Sequence, residues 1–218
     1  MKIFIGGATG ATGQEVVRHG RNKATLVVHV RPKSVDKYRA QQPDGPEPAV
    51  FDLADAEALS TAMNGCEAVI SCIGTMAKRF GSGDTYASSD IGANRALVEA
   101  AQAAGVSHFV LMGSWGTKRG PGPYFAAKRQ IEQIVRDSGL AWTLLRPSAL
   151  VGNGRGSSLL KLGNVFARVP GLGGVVQDAT GIGVDQCARA MVRIALSGSH
   201  RGEVLMGRQI VPLSVGSA

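Results

Sequence analysis

Apolar residues along the chain fall into short continuous runs, each followed by a stretch with helical spacing. Residues 3–5, 24–30, 49–52, 67–74 and 107–112 are rich in β-branched and aromatic residues and too short to be helices, so they read as buried strands. Between and after them, helices are predicted over 14–19, 54–63, 90–104 and 124–138, with Ile91, Leu97, Val98 and Ala101 on the inner face of the third. Asp185 is expected to N-cap a further helix whose Ala188, Met191, Val192 and Ala195 point inward, and Glu203–Met206 reads as a last strand. Residues 41–48, with three prolines and a glycine, read as a surface loop, 75–89 as a mobile one, and the tail after Gly207 carries no signal. Strand alternating with helix predicts an α/β fold, a doubly wound parallel sheet with its ligand crevice at the carboxyl ends of the strands.

The first strand runs straight into Gly6-Gly7-Ala8-Thr9-Gly10-Ala11-Thr12-Gly13. Glycines at 7, 10 and 13 let the chain turn tightly, approach a bound group and pack a helix on its own strand, leaving amide N–H groups at a helix N-terminus. Such a turn binds phosphate. The spacing departs from G-x-G-x-x-G, and a plain glycine turn is the competing reading. If the ligand is a dinucleotide, the end of the second strand selects it: an acid there bonds a ribose 2′-OH, a base a 2′-phosphate. Here the strand ends in Arg31, with Lys33 and Ser34 beyond, which favours NADP over NAD. Asp52-Leu53, ending the third strand, are placed to meet an adenine edge; Asp52 is equally suited to N-cap the following helix.

Composition narrows the classes. A length of 218 residues with 44% hydrophobic content suits one large α/β domain spanning 1–218. No 18-residue apolar run and no targeting segment is read, so a soluble cytoplasmic protein without membrane attachment is expected. Cys66, Cys72 and Cys187 form no C-x-x-C and read as reduced thiols; the four histidines also lack ligand spacing, so no metal site is expected. The net charge of +8 is uneven: residues 18–39 hold seven Lys/Arg against one acid and 113–170 nine against two, which suits an anionic ligand. RNA binding is disfavoured because aromatic residues do not interleave with the bases.

The fifth strand leads through Ser114 and a Gly/Pro-rich loop to Pro123-Tyr124-Phe-Ala-Ala-Lys128. Pro123 suits the first turn of a helix, and four helical residues rotate by about 400°, so Tyr124 and Lys128 share a face. A lysine beside a tyrosine lowers the phenol pKa, as befits a proton donor to a carbonyl oxygen. The competing readings are that Ser114 caps a turn and Tyr124 is a surface helix residue; Arg146 reads as an internal ion-pair or hydrogen-bond partner.

Together, Gly7–Gly13, Arg31, Asp52-Leu53, Ser114, Tyr124-Phe-Ala-Ala-Lys128 and Trp142-Thr-Leu-Leu-Arg146-Pro147 resemble the short-chain dehydrogenase/reductase superfamily, and within it the atypical NmrA-like NAD(P)H-binding oxidoreductases, which include small flavin and biliverdin reductases. The resemblance implies a Rossmann-like sheet and these roles: Thr9, Gly10, Ala11 and Thr12 at the pyrophosphate, Arg31 at the 2′-phosphate, Asp52 and Leu53 at adenine, Ile73 and Gly74 on the adenosine side, and Pro147 to Leu150 at the nicotinamide. Ser114 would bond the substrate carbonyl, Tyr124 would protonate it, and Lys128 would bind the nicotinamide ribose. It implies an NADPH-dependent oxidoreductase acting on a small carbonyl, quinone, flavin or related conjugated molecule, or, alternatively, an NADP-binding redox sensor or scaffold without turnover. Residues 151–180 are expected to cover the substrate, Lys78, Arg79, Phe80 and Tyr86 to wall a pocket, and the chain to be a monomer or homodimer.

Overall fold

The structure is a computed structural model and describes residues 1–75, 83, 85–152 and 181–215. Strands β1 (Lys2–Gly6), β2 (Thr25–Val30), β3 (Ala49–Val50), β4 (Ala68–Ser71), β5 (His108–Met112), β6 (Trp142–Arg146) and β9 (Glu203–Met206) form one parallel sheet in the order β3-β2-β1-β4-β5-β6-β9. The order reverses between β1 and β4, where a crevice opens at the carboxyl ends of the strands. A small parallel pair, β7 (Leu150–Val151) with β8 (Ile182–Gly183), stands apart.

Alternation along each strand divides the core in two. Ile3, Ile5, Val28, Val110 and Leu145 face one layer, against α1 (Ala11–Gly20) and α6 (Val184–Ser197), with Val16, Val17, Met191 and Ile194 buried between them. Phe4, Val69, Phe109, Leu111 and Leu144 face the other, against α3 (Ala56–Met63), α4 (Ala93–Ala103) and α5 (Pro123–Asp137). Burying each such side chain contributes about 1.5–3 kcal/mol, and strands covered on both faces read as unbroken apolar runs for that reason.

Several local expectations are corrected. Asp55, not Asp52, N-caps α3 by accepting from Ala58 N at 3.0 Å; Asp52 accepts from Ala54 N and stays at the crevice. Gly183 is the N-cap of α6, and Asp185 sits in its first turn facing His19. The tail forms a helix, α7 (Gly207–Val215), held by the buried Ile210. A short 3-10 turn (Pro32–Ser34) and α2 (Val35–Gln41) follow β2 directly. Part of the expected 75–89 loop is a π-helical turn, Tyr86–Gly92, leading into α4. Lys78, Arg79, Phe80 and the expected covering segment beyond residue 152 lie outside the described residues up to Gly181.

Candidate cofactor and active site

A cavity of about 710 Å³ opens over the carboxyl ends of β1, β2 and β4. Its floor is the glycine turn. Gly7 has φ +81°, and a Cβ there would lie 2.7 Å from the Cys72 carbonyl carbon, so only glycine lets β1 cross so close to the end of β4. A Cβ on Gly13 would fall on the Gly7 carbonyl oxygen, so α1 packs directly on the turn. Gly10 caps α1 without a side-chain hydrogen bond, leaving the first-turn amides of Ala11 and Thr12 to face an anion with the positive end of the helix.

The rest of the wall gathers the residues read from the sequence: Thr9 and Gly10, then Arg31, Lys33 and Ser34 after β2, Asp52 and Leu53 after β3, and Ile73 and Gly74 after β4. Sequence reasoning missed Thr75, Ala96 of α4, and the wall built by Ser88, Ser89 and Gly92, the last three because a π-turn has no recognisable periodicity. It also missed Lys37, whose Nζ donates to Thr9 O at 2.9 Å, placing a cation over the turn; its position four residues after Lys33 was the available signal. These residues fit a phosphorylated dinucleotide: bare amides and a helix N-terminus for the diphosphate, bases at the β2 end for a further phosphate, and an apolar Leu53 beside Asp52 for a base edge.

Ser114, Tyr124, Lys128 and Pro147 are not part of that wall, but Lys128 reaches it. Lys128 Nζ lies 3.5 Å from Ile73 O and would be 3.1 Å from a Cβ on Gly74. Trp115 N donates to Pro147 O at 2.9 Å, which joins the end of β5 to the segment after β6. The loop between Ser114 and Tyr124 is compact: Phe125 packs on Gly116 and Gly120, and Arg129 Nη1 donates to Thr117 O and Gly120 O. The short spacing leaves Ser114 near enough to the Tyr124 phenol to lower its pKa against the effect of burial.

The electrostatics differ from the sequence expectation. Lys128 Nζ stands over the Tyr124 ring, 5.8 Å from its centroid. Burial pushes the Tyr124 phenol above its ordinary pKa; Ser114 opposes this, and Asp90 and Tyr86 add to it. Burial also lowers the pKa of the Lys128 ammonium, against the raising influence of Asp90, Glu132 and Cys72. Arg146 pairs with Glu132, as an internal partner should.

Away from the crevice, the structure brings Glu15, His19 and Asp185 within 4.8 Å of one another, a grouping that sequence spacing did not show. Arg18 is 2.7 Å from Glu15 and Arg189 3.0 Å from Asp185, so cations already hold both carboxylates.

A parallel sheet whose first crossover carries a glycine turn under a basic crevice has the form of a dinucleotide-binding fold. The chain belongs to the NAD(P)H-binding family, whose profile matches residues 7–169. It is 27% identical over 160 residues to the uncharacterized sugar epimerase YhfK of Bacillus subtilis (strain 168), covering 69% of this chain and 72% of that one. It is 29% identical over 154 residues to the NAD(P)H azoreductase of Xenophilus azovorans, covering 69% of this chain and 49% of the relative, so it spans about half the length of that curated protein. Among solved structures it resembles the NADPH-dependent quinone oxidoreductase QOR2 of Escherichia coli complexed with NADPH, with a TM-score of 0.67, 21% identity and coverage of 93% of this chain and 67% of that one. No described helix is long and apolar enough to cross a membrane.

Proposed function

We propose that the protein is an NADPH-dependent oxidoreductase that reduces a small carbonyl, quinone, flavin or related conjugated substrate, with NADP as its cofactor. The observation that carries this reading is the juxtaposition of the glycine turn and Arg31 in one cavity with Lys128, whose Nζ lies 3.5 Å from Ile73 O at the cavity wall and over the Tyr124 ring. The azoreductase and quinone oxidoreductase relatives support the reaction type. A bound nicotinamide supplies the hydride, and with it both electrons. The chain supplies position and a proton. Ala11 and Thr12 amides hold the diphosphate, Arg31 with Lys33 a 2′-phosphate, and Lys128 the ribose nearer the chemistry. Ser114 orients the substrate oxygen; as its C=O π electrons move onto oxygen, Tyr124 Oη gives up its proton and regains one from water. Burial favours the protonated phenol, the form a donor needs.

A second reading is a redox sensor or scaffold that binds NADP without turnover, favoured by the absence of Ser114 and Tyr124 from the described wall of the cavity. Calorimetry with NADPH, NADP⁺, NADH and NAD⁺, followed by a turnover screen on carbonyls, quinones and flavins, separates the readings. Binding with preference for the 2′-phosphorylated forms and oxidation of NADPH by at least one substrate class is expected. Binding without turnover leaves the sensor reading, and no heat with any of the four nucleotides overturns both.

A further inference from the structure

The π-turn before α4 carries a buried carboxylate that the reaction above does not use. Asp90 is fully buried, its Oδ1 accepts from Thr75 N at 2.8 Å, and its Oδ2 lies 3.9 Å from Lys128 Nζ. Its backbone carbonyl accepts from Asn94 Nδ2 at 2.8 Å, and Asn94 Oδ1 accepts from Ser71 Oγ at 2.6 Å, so the turn is fastened to the end of β4. An extra residue in the helical turn re-aims a side chain, which is a common reason for π-turns at functional sites. Here it directs a carboxylate toward Lys128, which adjoins both the cavity and Tyr124.

We propose that Asp90 is a positioning residue: its carboxylate fixes the Lys128 ammonium against the Ile73–Gly74 segment that follows β4 and at the face of the Tyr124 ring. Two buried opposite charges at this distance hold each other ionised, and either alone is strongly disfavoured. Among the described residues, Asp90 on the π-turn, Glu132 one turn along α5 and Cys72 at the β4 end face Lys128; Glu132 is already gripped by Arg146, which leaves Asp90 as the principal counter-charge. Tyr124 is faced by Ser114, Asp90 and Tyr86, with Lys128 over its ring. With its charge matched by Asp90, Lys128 does little to pull the proton off Tyr124. The carboxylate itself opposes formation of phenolate, so the donor stays loaded.

The inference depends on the proposed reaction only for the meaning of Tyr124 as donor, and its test needs neither cofactor nor substrate. Tyrosinate absorbance is titrated on wild type, Asp90→Asn, Asp90→Glu and Tyr124→Phe, the last identifying the transition of Tyr124. Asparagine keeps the acceptor for Thr75 N and removes the charge. The Tyr124 transition is expected at lower pH in Asp90→Asn than in wild type, and back toward the wild-type position in Asp90→Glu. An unmoved or higher transition in a folded Asp90→Asn protein overturns the proposal. If Asp90→Asn does not fold, the Asp90→Asn/Lys128→Met double variant decides: removing both charges restores a cooperative thermal transition if the ion pair is as described, and failure of the double variant to fold overturns it.

Discussion

Arg146 of β6 grips the buried Glu132 carboxylate of α5 with two nitrogens, Nε donating to Oε1 at 3.0 Å and Nη2 to Oε2, and Gly113 leaves the space for it. A Cβ on Gly113 would lie 2.8 Å from Glu132 Oε1. This pair ties the helix bearing Tyr124 and Lys128 to the sheet. Removing one partner strands a buried charge, so Arg146→Met is expected to cost about 3–5 kcal/mol. Removing both, with Glu132→Leu added, should recover most of that loss. Urea denaturation of the single and double variants measures the difference; equal losses would deny the pair its role.

Arg31 is the first base after β2 and lines the cavity with Lys33. A charge-assisted contact to a 2′-phosphate is worth about 1.5–3 kcal/mol, so Arg31→Ala is expected to weaken NADPH binding roughly ten- to a hundredfold. NADH, which lacks that phosphate, should bind as before. Calorimetry with both nucleotides reads the contrast, and parallel losses would move the 2′-phosphate away from Arg31.

Tyr124→Phe removes the proposed proton donor while keeping the ring that packs edge-on against Tyr86 at 5.9 Å. General acid catalysis contributes about 10²–10⁴-fold, so kcat should fall by at least about 10²-fold with nucleotide affinity unchanged. In the wild type, turnover should decline only at alkaline pH: donation requires the phenol, and its pKa lies above the ordinary value. Retention of full turnover by the phenylalanine variant would assign the proton to another group.

The sheet was legible because strands covered on both faces carry unbroken apolar runs, and the last strand, Glu203–Met206, was read with its final boundaries. The cavity wall was legible for a related reason: Gly7, Arg31, Asp52 and Gly74 all sit where a strand ends, and strand ends are marked in sequence. Tyr86–Gly92 left no such mark. Its importance lies in a contact between Asp90 and Lys128 across 38 positions, and Asp90 alone resembles an ordinary residue at the start of a helix. The pKa of Tyr124 was misjudged likewise, since adjacency on a helix face says where Lys128 lies but not which part of the ring it meets. Gly207–Val215 escaped notice because a nine-residue helix with an internal Pro212 has weak intrinsic propensity and is held by packing of Ile210.

His19 of α1 lies 2.6 Å from Asp185 of α6, and Arg189 lies on the other carboxylate oxygen. Burial pushes the Asp185 carboxyl up, but the hydrogen bonds and charges of His19 and Arg189 together outweigh it and hold the pKa below its ordinary value. A carboxylate depressed in the folded state adds stability that is complete above its unfolded pKa and disappears as pH falls through the folded one. Asp185 is about half exposed, so solvent screening limits the contribution to about 1 kcal/mol or less. Asp185→Asn is therefore expected to lower Tm near neutrality by no more than about 2–4 °C in a chain of this size. The difference from wild type should shrink steadily as the buffer is taken below the ordinary carboxylate range. Thermal melts of the two proteins over that acid series read it directly, and a gap that stays constant or widens toward low pH would show that the α1–α6 contact does not depend on the ionised carboxylate.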